Sequence, residues 1–185
     1  GIHQFHCGVG FPTETYLSED AEAIDILSHV FEQRLMWSLM EENCELFGGT
    51  YRSPVESPRT FVHGMIWVRF ATVSKDFLSE GEGKIIKETE ALKTKLVQED
   101  EFKAAQGRAL YEYLGAIYAR TPRKLCERII DATCNRDEEL VSFHSQRERI
   151  EKVTRRKILA IANKYFTKNY ARVIIRPAES VEQKL

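Results

Sequence analysis

His29-Val-Phe-Glu32-Gln33 falls one residue short of the inverted zinc motif H-x-x-E-H. In that motif two histidines on one helix face hold the metal and the glutamate activates a water. Gln33 stands where the second histidine would be, and a carboxamide is a poor zinc ligand. Glu22, Asp25, His29 and Glu32 also share one helical stripe, which predicts a solvated polar face. His3 and His6, three apart on a strand, point to opposite faces and cannot share a metal. His63 and His144 have no partner that the sequence identifies. No catalytic residue and no metal ligand is therefore assigned, and no cofactor is expected in this chain.

The other chemistry-bearing types are equally spare. Cys7, Cys44, Cys126 and Cys134 show no C-x-x-C spacing and read as reduced, mostly buried thiols. No G-x-S-x-G elbow is present. Gly8-Val-Gly10 runs into Phe11-Pro12 and not into a helix N-terminus, so it is not a phosphate loop. Arg147, Arg149, Lys152, Arg155, Arg156 and Lys157 are interrupted by Glu148 and Glu151 and carry no interleaved aromatics. They read as a solvated helix junction and not as a nucleic-acid contact. Trp67 shares a strand face with His63 and Arg69. That face either meets a peptide or partner domain or packs under a second helical layer.

These residues must be carried by a recognisable series of elements. Phe5, Cys7, Val9 and Phe11 alternate with Gln4, His6, Gly8 and Gly10, predicting a half-buried strand that Pro12 ends. Ser18 is expected to cap a helix from about residue 19, with Ala23, Ile24, Leu27, Val30, Phe31 and Leu35 as its apolar face. A second helical stretch runs from Arg34 to Glu45, and Gly48-Gly49 breaks it. Thr50–Val55 and Thr60–Val73 read as paired strands around a Pro54–Pro58 turn.

Helical character then continues to about residue 166. Its markers are Ile85, Thr89, Leu92 and Leu96, then Phe102, Ala109, Tyr113 and Ile117. Thr121-Pro122 opens a further helix with Leu125, Ile129 and Ile130, and Leu140, Phe143, Arg147 and Ile150 mark the next. Thr154 caps a last helix with Ile158, Ile161, Ala162 and Tyr165 on one face. Tyr170–Arg176 is a closing strand stopped by Pro177. Strands and helices are segregated along the chain, so the expected class is α+β, an antiparallel sheet packed against several helices.

Composition bounds the remainder. The 185 residues, 43% of them hydrophobic, suffice for one domain over 1–185 with a real core. The 27 basic and 28 acidic residues nearly cancel, so bulk charge favours neither nucleic acid nor an anionic membrane. No apolar run approaches the roughly 18 residues of a spanning helix. The start at Gly1-Ile2-His3-Gln4-Phe5 lies inside an apolar alternation, which suggests a piece of a longer protein.

Four segments, in order, carry a family resemblance. They are Gly8-Val-Gly-Phe-Pro12 with Asp20-Ala-Glu-Ala-Ile-Asp-Ile-Leu27; Arg34-Leu-Met-Trp-Ser-Leu-Met-Glu-Glu-Asn43; Val97-Gln-Glu-Asp-Glu-Phe-Lys-Ala-Ala105; and Thr154-Arg-Arg-Lys-Ile-Leu-Ala-Ile-Ala-Asn-Lys-Tyr-Phe166. From about Phe5 to Pro177 the chain resembles the second, non-zinc unit of pitrilysin-type (M16, inverzincin) zinc metallopeptidases. The resemblance implies that two such units face each other across a chamber. A homologous N-terminal domain, in the same chain or a separate subunit, would hold the zinc, and this unit would contact the peptide substrate. It also admits a dimer.

In the family those contacts centre on an Arg and a Tyr in "L-R-x-x-x-x-L-x-Y". The matching stretch here is Leu39–Phe47, with Met40 in place of the Arg and Phe47 in place of the Tyr. A thioether offers no guanidinium fork and Phe no hydroxyl. An alternative register, past Gly48-Gly49, puts Tyr51 at the Tyr position without an Arg before it. Two expectations follow. One is the non-catalytic half of a zinc-dependent endopeptidase, inactive alone; the other is a structural subunit from an inactive member of the same family.

Overall fold

The computed structural model describes residues 4–14, 18–40, 55–56, 64–72, 75–117 and 142–177. The elements are β1 (Phe5–Thr13), α1 (Ala21–Met40), β2 (Val55–Glu56), β3 (Gly64–Thr72), α2 (Lys75–Thr94), α3 (Glu99–Ile117), α4 (Ser142–Lys152), α5 (Arg155–Tyr165) and β4 (Ala171–Ile175). The described strands form one antiparallel sheet in the order β2-β3-β1-β4, so β1 and β4, the first and last of them, are neighbours. The α+β class expected from segregated strands and helices is what the fold shows.

Alternation on β1 and β3 decides which face is buried. Val9 pairs with Val68, Cys7 with Phe70 and Phe11 with Ile66. All six join the core with α1, α2 and α5. Phe11, Phe31 and Phe166 meet in its centre, with ring centroids 5.0 Å apart in both Phe166 contacts. Gly81 of α2 lies against the Phe70 ring, where a Cβ would not fit, so helix and sheet approach closely there.

Several boundaries differ from the sequence reading. β1 continues through Pro12 to Thr13. The pairing with β4 spans only His6 to Gly10, so at Pro12 one side of β1 has no partner among the described residues and a missing N–H is tolerated. Residues 21–40 form one helix, not two. Ser18 contributes its carbonyl to the Ala21 N–H, while its hydroxyl is buried with no hydrogen-bond partner among the described residues; it is not the cap. β2 pairs with β3 through Val55, the last residue of the expected strand, and runs on through Glu56 into the stretch expected to turn. Leu96 lies past the end of α2 and is exposed, and Val97 is buried instead. The helix expected after Thr121-Pro122 and Leu140 fall outside the described residues.

The polar stripe of α1 is the largest revision. Glu22 and Glu32 are only 6% and 8% exposed. Glu22 binds Arg149 of α4 at 2.8 Å, Glu32 binds Arg108 of α3 at 2.7 Å, and Arg34 forks onto Glu101 at 2.6 and 2.9 Å. α1 is packed by helices on several sides, so its charges are matched one by one and not solvated. Ile26 is buried off the expected stripe for the same reason.

Thr154 behaves as its sequence context requires. In extended conformation, its hydroxyl accepts the Lys157 N–H at 3.2 Å. Ile158, Ile161, Ala162 and Tyr165 are the buried residues of α5. Thr154→Ala is expected to cost about 1 kcal/mol, read as a lower urea midpoint at unchanged slope. An unchanged midpoint would dismiss the cap.

Candidate functional site

The helices cover only one face of the sheet among the described residues. The residues that alternate with the core strands make the other face: His6, Gly8, Gly10 and Pro12 of β1; Met65, Trp67, Arg69 and Ala71 of β3; Ala171, Val173 and Ile175 of β4. Val173 and Ile175 are 47% and 48% exposed. An apolar strip therefore crosses three strands, with Arg69 and His6 as exposed polar groups on it.

Trp67 gives this face its shape. Its ring lies flat across β1, over Gly8 and Gly10, and a Cβ at either glycine would collide with it. Met65 Sδ sits beside Gly10 in the same way. Two glycines inside a paired strand cost backbone entropy, about 0.5–1 kcal/mol each relative to alanine. What they provide is a flat floor where side chains would otherwise stand as a ridge. Among the described residues no helix packs on this side of Trp67, and the helix expected after Thr121-Pro122 lies outside them, so both readings for this face stand.

Gly10→Val is expected to lift the indole, with a loss of about 1–3 kcal/mol from overpacking. The check is Trp67 emission in a Trp37→Phe background, since Trp37 is itself exposed. A red shift is expected. Unchanged emission would mean the ring does not rest on the glycines.

The residues singled out for metal chemistry are placed differently. His29 Nε2 lies 3.4 Å from Glu112 and Nδ1 3.9 Å from Glu32, between α1 and α3. The Arg108 guanidinium occupies the carboxylate cluster, contacting Glu32 at 2.7 Å and Glu112 at 3.1 Å. Gln33 is exposed. A cationic arginine between the two carboxylates does not suit a zinc site, and no described group of His, Cys, Asp and Glu could hold a metal. His6 is exposed on the open face, whereas His3, His63 and the His144 side chain lie outside the described residues. Met40 is the last residue of α1, its side chain outside the described set; Phe47 and Tyr51 also lie outside it.

Cys7 is buried on the helical side, where burial, reinforced by the Glu82 charge, pushes its thiol pKa up; this suits an inert core cysteine. The other three cysteines are outside the described residues. The basic cluster is not simply solvated. Arg149 reaches Glu22, Arg155 reaches Glu99 at 3.0 Å, and Lys157 reaches Asp20 at 2.5 Å. These bonds tie the α4–α5 junction to α1 and α3.

Asp20 is the residue that sequence reading missed. Only 8% exposed, it accepts hydrogen bonds from Lys157, from Lys164 at 2.7 Å and from the Tyr165 hydroxyl at 2.8 Å. Burial alone would raise its pKa, but these three donors and the Lys157 charge outweigh burial and hold it at about 2. Both ends of this contact stand in the quoted family segments, Asp20 in the first and Lys164-Tyr165 in the last. The structure shows them to be one interaction.

No family model and no curated protein matches the sequence. Solved structures do match in fold. A protease from Helicobacter pylori superposes with TM-score 0.76 at 13% identity, over 96% of this chain and 42% of that one. A peptidase M16 inactive domain from Pseudomonas fluorescens gives 0.73 at 12%, over 92% and 40%. A chain of complex III2 from Candida albicans gives 0.77 at 10%, over 94% and 43%. The chain thus spans about two fifths of each, and it shares the fold of M16-type peptidase domains. No described helix is long and apolar enough to cross a membrane.

Proposed function

We propose that this chain is the non-catalytic unit of a pitrilysin-type zinc endopeptidase, and that its open sheet face lines the chamber in which peptide is held. The supporting observation is the asymmetry of the sheet among the described residues: helices seal one face, while the other carries a half-buried Trp67 laid over Gly8 and Gly10 and exposes Val173 and Ile175. A homologous zinc-bearing unit would stand opposite and supply every metal ligand. The role left to this chain is to orient peptide, because its own His29 and Glu32 are committed to Glu112 and Arg108. The apolar strip would contribute contact area in place of the missing Arg and Tyr side chains at Met40 and Phe47.

The test uses the full-length parent beside this chain, with quenched peptides and a chelator. Bound zinc and chelator-sensitive cleavage in the parent, with neither in this chain alone, are the expected results. In that parent, Trp67→Ala should lower kcat/KM about tenfold, equivalent to about 1.4 kcal/mol of lost binding. A metal-free, inert parent would overturn the peptidase reading. It would favour the second one, a structural subunit, which the substitutions at Met40 and Phe47 and the likeness to a complex III2 chain also support.

A further inference from the structure

We draw no further inference here: the strongest candidate, the apolar outer face of the sheet around Trp67, Val173 and Ile175, belongs to the site already described, and nothing in the structure shows what covers it.

Discussion

Phe166→Ala is expected to destabilise the chain by about 3–5 kcal/mol. Phe166 follows α5 as its C-cap, with its backbone N–H on the Ala162 carbonyl at 3.0 Å, and its ring is 1% exposed. That ring stands edge-on to Phe11 of β1 and tilted against Phe31 of α1, so one side chain joins the sheet, the central helix and the C-terminal helix. Alanine would remove the transfer energy of the ring and leave a cavity walled by two aromatics held in separate elements. Neither can close the gap without moving its own backbone. Domains of this kind are stable by only about 5–15 kcal/mol, so the loss is a large fraction of the total. Trp37→Ala, at an exposed site on α1, is the matched control and should fall within about 0.5 kcal/mol of the parent. Denaturant titration of the two variants decides the matter. A Phe166→Ala cost below about 1 kcal/mol would mean the three rings are not the keystone of the core.

Some of this was legible in advance for a definite reason. The α5 segment carries its own cap and a 3.6-residue apolar period, both local signals, so Thr154 and the four buried positions follow from the sequence alone. The β1 and β3 alternations are equally local, and the pleat assigns their faces. Glu22, Glu32 and Arg34 behave otherwise. A charged stripe has the same period whether water or another helix covers it, and only the arrival of Arg149, Arg108 and Glu101 from elements far along the chain shows which. Pro12 is a similar case, because a strand's tolerance for proline depends on where its neighbour stops. The open face was half legible. Gly8 and Gly10 announce a position with no side chains, but what lies over them depends on the register with Trp67, 59 and 57 residues away respectively.

Asp20 yields the second large effect, one that depends on pH. Its carboxyl is held at about 2 against an ordinary 3.8, so the folded state binds a proton there less readily than the unfolded chain does. A depressed carboxylate stabilises above the unfolded pKa, and that contribution fades as pH falls through the folded value. At pH 7 the shift corresponds to about 2 kcal/mol, lost between about pH 4 and pH 2. Lys157 and Lys164 have side chains 42% and 51% exposed, so that figure is an upper value and salt should reduce it.

Removing the acid also orphans a neighbour. The Tyr165 hydroxyl is buried and donates to Asp20, and its loss of an acceptor adds about 1 kcal/mol in Asp20→Ala beyond the charge effect. Asp20→Ala should therefore cost about 3 kcal/mol at pH 7. Asp20→Asn keeps a carbonyl for Tyr165 and should cost less, about 2 kcal/mol. The decisive comparison is the difference in unfolding free energy between parent and Asp20→Asn from pH 7 to pH 2. A gap that narrows below pH 4 and is nearly closed at pH 2 identifies this carboxylate as the clasp between α1 and α5. A gap that stays constant over the same range would show that residue 20 contributes shape alone, and that the paired segments at the two ends of the chain are held together by the Phe166 core and not by charge.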